Sequence, residues 1–309
     1  MDKQNTVLIF DIKKFAVHDG PGIRTTFFTM GCPLRCLWCQ NPESFSPNQS
    51  LVLNRMKCIG CGACASVCDK IGPDLMLLKS ECTLCGKCVS VCKSGARSFI
   101  ARPYTPEMVV NEAMKDKIFY DQSGGGVTFS GGECMLHANF LKKTLKMFKD
   151  LGIHTTIDTC GYVPWENFEK VLPYTDLFLY DVKVMDPVRH KEYTGVDNSL
   201  ILANLKKIID LGASVIIRVP LIPGYTDNPD DMEALGNFII GTLENKIIRV
   251  ELLPYNKLAE SKYENKTAYR DGGVGTYKLS DLSPQTEEYV ESLKNILVKK
   301  DVTVFAEKL

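Results

Sequence analysis

Eleven of the thirteen cysteines lie between Cys32 and Cys92, in three tight runs. No other feature limits the fold as much. Cys32, Cys36 and Cys39 are spaced C-x3-C-x2-C. Cys58, Cys61, Cys64 and Cys68 are spaced C-x2-C-x2-C-x3-C, and Cys82, Cys85, Cys88 and Cys92 repeat that spacing. The echo extends to the intervening residues, with Cys-Gly-Ala-Cys-Ala-Ser-Val-Cys matched by Cys-Gly-Lys-Cys-Val-Ser-Val-Cys. Thiolates this close together suit a soft metal centre. Disulfides explain cysteine-rich secreted domains, but no secretory leader pattern is present and the spacings are ligand-like. A four-iron cubane takes one ligand per iron. A three-cysteine loop therefore leaves one iron open to a small molecule, through a nitrogen and an oxygen. The alternatives are a zinc knuckle short of its fourth ligand and, for the repeats, a pair of four-cysteine zinc sites. The repeat segment is too short to bury an apolar core of its own. Its metal must serve as the core, so the segment should unfold without it.

The rest of the chain is ordinary by comparison. Its 309 residues allow one large domain, or a barrel with a small insert. Lys plus Arg equals Asp plus Glu at 37 each, which argues against broad nucleic-acid binding. No apolar run approaches membrane-spanning length, so no membrane partner is expected. The opening residues lead straight into Val7-Leu8-Ile9-Phe10, a strand-like stretch without a signal pattern. A reducing cytoplasm, in an anaerobic cell, is the expected compartment.

Beyond residue 101 strands and helices alternate. Strands are expected at 126–130, 154–159, 177–183, 214–219 and 247–253, after a first one at 25–29. Helices are expected at 138–151, from Trp165, at 200–211, at 230–242 and at 283–300, with a last short strand at 302–305. Gly and Asp make 271–275 a loop. Such alternation builds a parallel sheet with helices outside it. Six strand–helix units suggest an α/β fold, a partial (β/α)6 TIM-like barrel, left open.

In parallel α/β folds functional residues gather at the C-terminal strand ends. Gly131-Gly132-Glu133 stands at one such end. Glycines let a ligand approach the backbone, and the carboxylate suits an ammonium. Asp158-Thr159 and Asp181 with Lys183 end the next two strands, and Arg218 lies on the fifth. Lys183 and Arg218 suit a carboxylate. Each alone could be a surface ion pair, but their shared position at strand ends favours the functional reading. Cys134 and Cys160 match no ligand spacing and read as buried thiols.

The three-cysteine loop, with Trp38 before its third cysteine, resembles the signature of the radical S-adenosylmethionine (SAM) enzymes. Upstream of it stands Asp19-Gly20-Pro21-Gly22-Ile23-Arg24. Together they resemble the glycyl-radical enzyme activating enzymes. The resemblance implies that Asp19, Gly20, Pro21, Gly22 and Arg24 lie near the mouth that receives a partner's glycine loop. It implies that Gly131, Gly132 and Glu133 meet the methionine amino group of SAM. It also implies that Asp158, Thr159, Asp181, Lys183 and Arg218 hold the rest of SAM, with the two Asp as possible holders of a monovalent cation. Pro223-Gly224-Tyr225-Thr226-Asp227 and Leu252-Leu253-Pro254-Tyr255 match two further family segments, although Asn256 stands where many relatives have His.

The repeats resemble two-cluster bacterial ferredoxin, in which each fourth cysteine crosses to the other cluster. That implies one 4Fe–4S cluster on Cys58, Cys61, Cys64 and Cys92, and another on Cys82, Cys85, Cys88 and Cys68. The usual proline after each fourth cysteine is replaced by Asp69 and Lys93. Residues 51–101 are then a ferredoxin-like insert, with 1–50 and 102–309 forming the barrel. The expected function is reductive cleavage of SAM to methionine and a 5′-deoxyadenosyl radical, which takes hydrogen from a glycine of a glycyl-radical enzyme. Three clusters are expected in all, with flavodoxin or ferredoxin as electron donor. The alternatives are a radical SAM enzyme acting on a small molecule and a non-catalytic electron carrier.

Overall fold

The computed structural model describes residues 6–264, 269 and 277–307. The strands in chain order are β1 (Val7–Ala16), β2 (Arg24–Thr29), β3 (Leu51–Leu53), β4 (Arg97–Phe99), β5 (Arg102–Tyr104) and β6 (Gly126–Gly131). They continue as β7 (His154–Thr159), β8 (Leu177–Asp181), β9 (Val215–Leu221), β10 (Arg249–Pro254) and β11 (Val304–Ala306). Nine of them form one sheet, in the order β11-β10-β9-β8-β7-β6-β2-β1-β5. Every pairing from β2 across to β11 is parallel. β1 runs antiparallel to both β2 and β5.

The six expected parallel strands are all present, and the sheet extends beyond them. β11 adds a seventh parallel strand, while β1 and β5 close the other side. β5 is short and largely exposed and contains Pro103, which an edge position tolerates because one side of the strand needs no partner. The linear strand order leaves the sheet open. It nevertheless curls, because one cavity is lined by Lys13 near one edge and Glu307 near the other.

Helices cover the outer face. Ala138–Asp150 buries Phe140, Leu141, Leu145 and Phe148, the apolar stripe that its sequence period announces. Asn228 caps Pro229–Gly241 by accepting from the Asp231 amide, with proline at the first turn. The last helix starts at Glu287 rather than 283, because Thr286 caps it by accepting from the Tyr289 amide. Between sheet and helices the fully buried rings of Phe27, Phe129, Phe148, Phe168 and Phe178 form the centre of the core. Phe27 and Phe129 stack 5.6 Å apart across neighbouring strands. The loop expected at 271–275 lies outside the described residues. Among the described residues no helix is long and apolar enough to cross a membrane.

Between β2 and β5 the chain forms a separate two-stranded antiparallel sheet, β3 with β4. Two four-residue helices, Ala63–Ser66 and Lys87–Ser90, accompany it. The apolar residues in this segment are few. Leu51, Leu53, Ile71, Met76, Leu77 and Ala96 pack against cysteine side chains and the ring of Tyr269.

Candidate active site

The C-terminal ends of the parallel strands surround a cavity of about 490 Å³. Cys32, Cys36 and Cys39 all line it, and all are free thiols. The loop that carries them is fixed by its own arginine. Arg35 donates to the carbonyls of Cys32, Leu34 and Phe45 at 2.7, 2.6 and 3.1 Å, and its guanidinium lies 5.0 Å from the Phe45 ring centre. The amides of Arg35 and Leu37 donate to the carbonyls of Thr194 and Tyr193. Tyr263 donates to the Cys39 carbonyl at 3.1 Å, and Lys262 reaches Asn41 at 3.0 Å. Trp38 is buried among Ile222, Tyr255 and Tyr277 and also lines the cavity.

This donor set suits a cubane. Burial pushes the Cys36 thiol up to about 12, and bound iron would displace that proton outright. Among the described residues no three His, Cys, Asp or Glu side chains close on one single-ion point. A cluster spreads its thiolates over separate irons and needs no such point.

The two glycines at the end of β6 pass directly beneath the cysteine loop. A Cβ on Gly131, where φ is +116°, would lie 2.2 Å from the Thr29 nitrogen. A Cβ on Gly132 would lie 2.2 Å from the Gly31 carbonyl oxygen. Both glycines line the cavity, but Glu133 does not. Its carboxylate is fully buried and accepts from the Met135 amide at 2.9 Å, the Thr159 hydroxyl at 2.8 Å and the Cys160 amide at 2.7 Å. The side chain turns from the cavity and braces β6 against the end of β7. Burial pushes its pKa up, and these bonds oppose the shift.

The charged residues lie together at the strand ends. Asp158 accepts from the Ser130 hydroxyl at 2.7 Å and lies 3.6 Å from Arg218. Burial pushes Asp158 up to about 6, against the pull of Arg218. Lys183 sits 2.6 Å from Asp181. Burial disfavours the ammonium, but Asp181 and Cys36 outweigh it and hold its pKa above the usual value. Arg218 also faces Glu251 at 3.7 Å, yet its buried Nε has no hydrogen-bond partner. Asp158, Thr159, Asp181, Lys183 and Arg218 all reach the cavity wall.

The Asp-Gly-Pro-Gly-x-Arg segment divides. His18 and Asp19 reach the cavity, and Asp19 accepts from the Thr26 hydroxyl at 2.7 Å. Arg24 does not. It is fully buried at the N-terminal end of β2. It donates to the Thr128 and Thr156 hydroxyls at 2.8 and 2.9 Å and to the carbonyls of Pro21 and Val127 at 2.9 and 2.5 Å. Its bonds to Pro21 and Val127 anchor the loop from beneath. Gly22 is required for space, since a Cβ there would lie 2.5 Å from the Gly125 nitrogen.

Cys160 was missed as a site residue. It is buried, lines the cavity and lies beside Cys32 and the Glu133 carboxylate, whose charge helps push its pKa up. The available signal was its position directly after Asp158-Thr159 at a strand end. Cys134 is an ordinary buried thiol, 3.3 Å from the Phe129 carbonyl.

In the repeat segment Cys58, Cys61, Cys64 and Cys92 border one small cavity. Cys88 lies beside Cys68 and Cys82. The two runs adopt the same backbone: Gly60 and Leu84 occupy equivalent left-handed positions at φ +67° and +56°, as do Gly62 and Gly86 at +70° and +77°. Despite Lys93 in place of proline, the chain turns after Cys92, and its sulfur accepts from the Arg97 amide at 3.3 Å.

Residues 26–238 match the family model described as the radical SAM superfamily. The chain is 42% identical over 295 residues to the trans-4-hydroxy-L-proline dehydratase activating enzyme of Clostridioides difficile, covering 94% of this chain and 95% of that protein. It is 40% identical to the (2S)-3-sulfopropanediol dehydratase activating enzyme of Klebsiella oxytoca, over 85% of this chain and 86% of that one. The crystal structure of QueE from Escherichia coli aligns with a TM-score of 0.50 at 12% identity, covering 98% of this chain and 95% of the other, a likeness of fold alone.

Proposed function

The chain belongs to the radical SAM superfamily, as an activating enzyme of glycyl-radical enzymes, and from that premise we propose how its residues divide the work. The reaction cleaves SAM to methionine and a 5′-deoxyadenosyl radical, which abstracts hydrogen from a glycine of the partner. When bound, the cluster supplies the electron and an open iron for SAM. Cys32, Cys36 and Cys39 are its ligands. The observation that carries this reading is three free thiols sharing a cavity with a half-buried lysine and a buried arginine donor that lacks a partner.

Lys183 and Arg218 orient the carboxylate of SAM. Both side chains are largely withdrawn from solvent, which strengthens a charge-assisted bond to an anion. The backbone of Gly131 and Gly132 forms the wall against which the methionine portion lies. Asp158 and Asp181 keep the two cations in register and are the candidates to hold a monovalent cation. Trp38 excludes water beside the third cysteine. Asp19 and His18 form the side of the cavity at which a glycine loop enters. No acid or base is required, since positioning and exclusion of water are the protein's share. The relatives' names offer dehydratases, lyases and decarboxylases as candidate partners.

Residues 51–101 are proposed to hold two further 4Fe–4S clusters, on Cys58, Cys61, Cys64 and Cys92 and on Cys82, Cys85, Cys88 and Cys68. Their role is to relay electrons from flavodoxin or ferredoxin. What supports this is the matched left-handed turns of the two runs and the grouping of cysteines across them. The test is Cys36→Ala under anaerobic conditions with dithionite. It should form no 5′-deoxyadenosine, and a wild-type yield would refute the assignment.

A further inference from the structure

We propose that Arg97 is the buried counter-cation of the insert's metal centres, donating through Nε and Nη1 to the cluster on Cys58, Cys61, Cys64 and Cys92. This rests on the two-cluster reading above. Arg97 is 1% exposed and is among the largest fully buried side chains. Its Nη2 donates to the Leu75 carbonyl. Nε and Nη1 are buried with no hydrogen-bond partner. A guanidinium is always charged, and burying one with two idle donors is costly unless an anion answers it. The insert buries no carboxylate: Asp69, Asp74 and Glu81 are exposed, and Asp69 pairs with Lys70 at 3.3 Å.

The anionic groups nearest Arg97 are cysteine sulfurs, on both sides of it. It lines the small cavity together with Cys58, Cys61, Cys64 and Cys92. Its own amide donates to the Cys92 sulfur at 3.3 Å. Cys88, in the other quartet, lies close enough to feel its charge. A cubane with four thiolates is a net anion whose sulfides accept hydrogen bonds. Leu75 takes a left-handed backbone, φ +62°, while its carbonyl receives the third guanidinium nitrogen. The two runs differ here. The fifth residue after Cys92 is Arg97, and the fifth after Cys68 is Pro73. One cation thus serves both quartets, from the side of the first.

Reduction adds one electron and no proton, so a fixed cation favours the reduced cluster. Removing it should make an insert cluster harder to reduce. The test uses the full chain, reconstituted anaerobically, with iron counted per chain and potentials followed by electron paramagnetic resonance. The SAM-binding cluster is identified by its spectral change on adding SAM. Arg97→Gln should shift an insert potential to more negative values and leave the SAM-binding cluster in place. Arg97→Lys should restore part of the shift. Loss of insert iron from Arg97→Gln but not from Arg97→Lys supports the same role. Superimposed titrations of wild type and Arg97→Gln would overturn it, as would equal iron loss from both variants, which marks packing rather than charge. Wild-type protein holding iron for one cluster only would instead sink the two-cluster reading.

Discussion

Arg24 meets His154 across 3.3 Å, its Nη2 against the imidazole Nδ1, at the N-terminal end of the sheet and away from the cysteines. Arginine only donates, so Nδ1 must accept and the ring carries its proton on Nε2. Burial first, and the charge of Arg24 second, hold the His154 pKa below its ordinary 6.5. Folded-state His154 therefore binds its proton less readily than the unfolded chain does. Its contribution to stability is present above that value and is lost as pH falls through the lower folded value. The melting temperature of wild type should drop more than that of His154→Asn, whose amide oxygen keeps an acceptor, on going from about pH 7.5 to about pH 5.5. Parallel curves for the two proteins would remove His154 from the acid response.

Arg24 itself should matter to stability before it matters to any partner. Arg24→Met leaves two hydroxyls, three carbonyls and the His154 ring nitrogen without their donor. A loss of about 3 kcal/mol is expected in denaturant unfolding. Arg24→Lys should recover little, because an ammonium cannot reproduce the planar fork. A change in activity without a change in stability would contradict the buried placement.

Gly132→Ala should be far more damaging than Glu133→Gln. The added methyl would lie 2.2 Å from the Gly31 carbonyl oxygen and must displace the cysteine loop. At least a ~10-fold loss of SAM affinity is expected from that shift, measured by equilibrium binding. Glu133→Gln keeps shape and puts one donor among donors. About 1–2 kcal/mol of stability should go, with SAM affinity little changed. The reverse ranking would return Glu133 to the ligand.

Lys183→Met and Arg218→Met should each weaken SAM binding by roughly 10- to 100-fold, the worth of one charge-assisted hydrogen bond. S-adenosyl compounds lacking the carboxylate should show no such loss. If they do, the two cations serve only Asp158, Asp181 and Glu251.

Cys61→Ala should spare SAM binding. Turnover with flavodoxin should fall more than turnover with dithionite, which can reach the SAM site without a relay. Equal turnover with both donors would leave the insert as a docking surface.

The chain announces most of its architecture because the signals are local. Cysteine spacing, β-branched runs and the apolar stripe of Ala138–Asp150 each lie within a few residues of one another, so the six parallel strands, the helices and every cysteine run are legible. The edge strand Arg102–Tyr104 is not, because three residues, two of them exposed, carry no period. The site divides along the same line. Asp158, Asp181, Lys183 and Arg218 could be read from their places at strand ends, where the parallel sheet gives side chains a common side.

Direction within the site was decided only in three dimensions. Nothing near Glu133 in the sequence says that Thr159 and Cys160, 26 and 27 residues on, would claim its carboxylate. Nothing beside Arg24 foretells its bonds to Thr128 and Thr156, 104 and 132 residues away. Spacing along the chain determines which chemical groups are available. Which of them face the cavity depends on burial and on partners brought in from distant strands, since a buried polar group turns to whichever donor or acceptor the fold supplies.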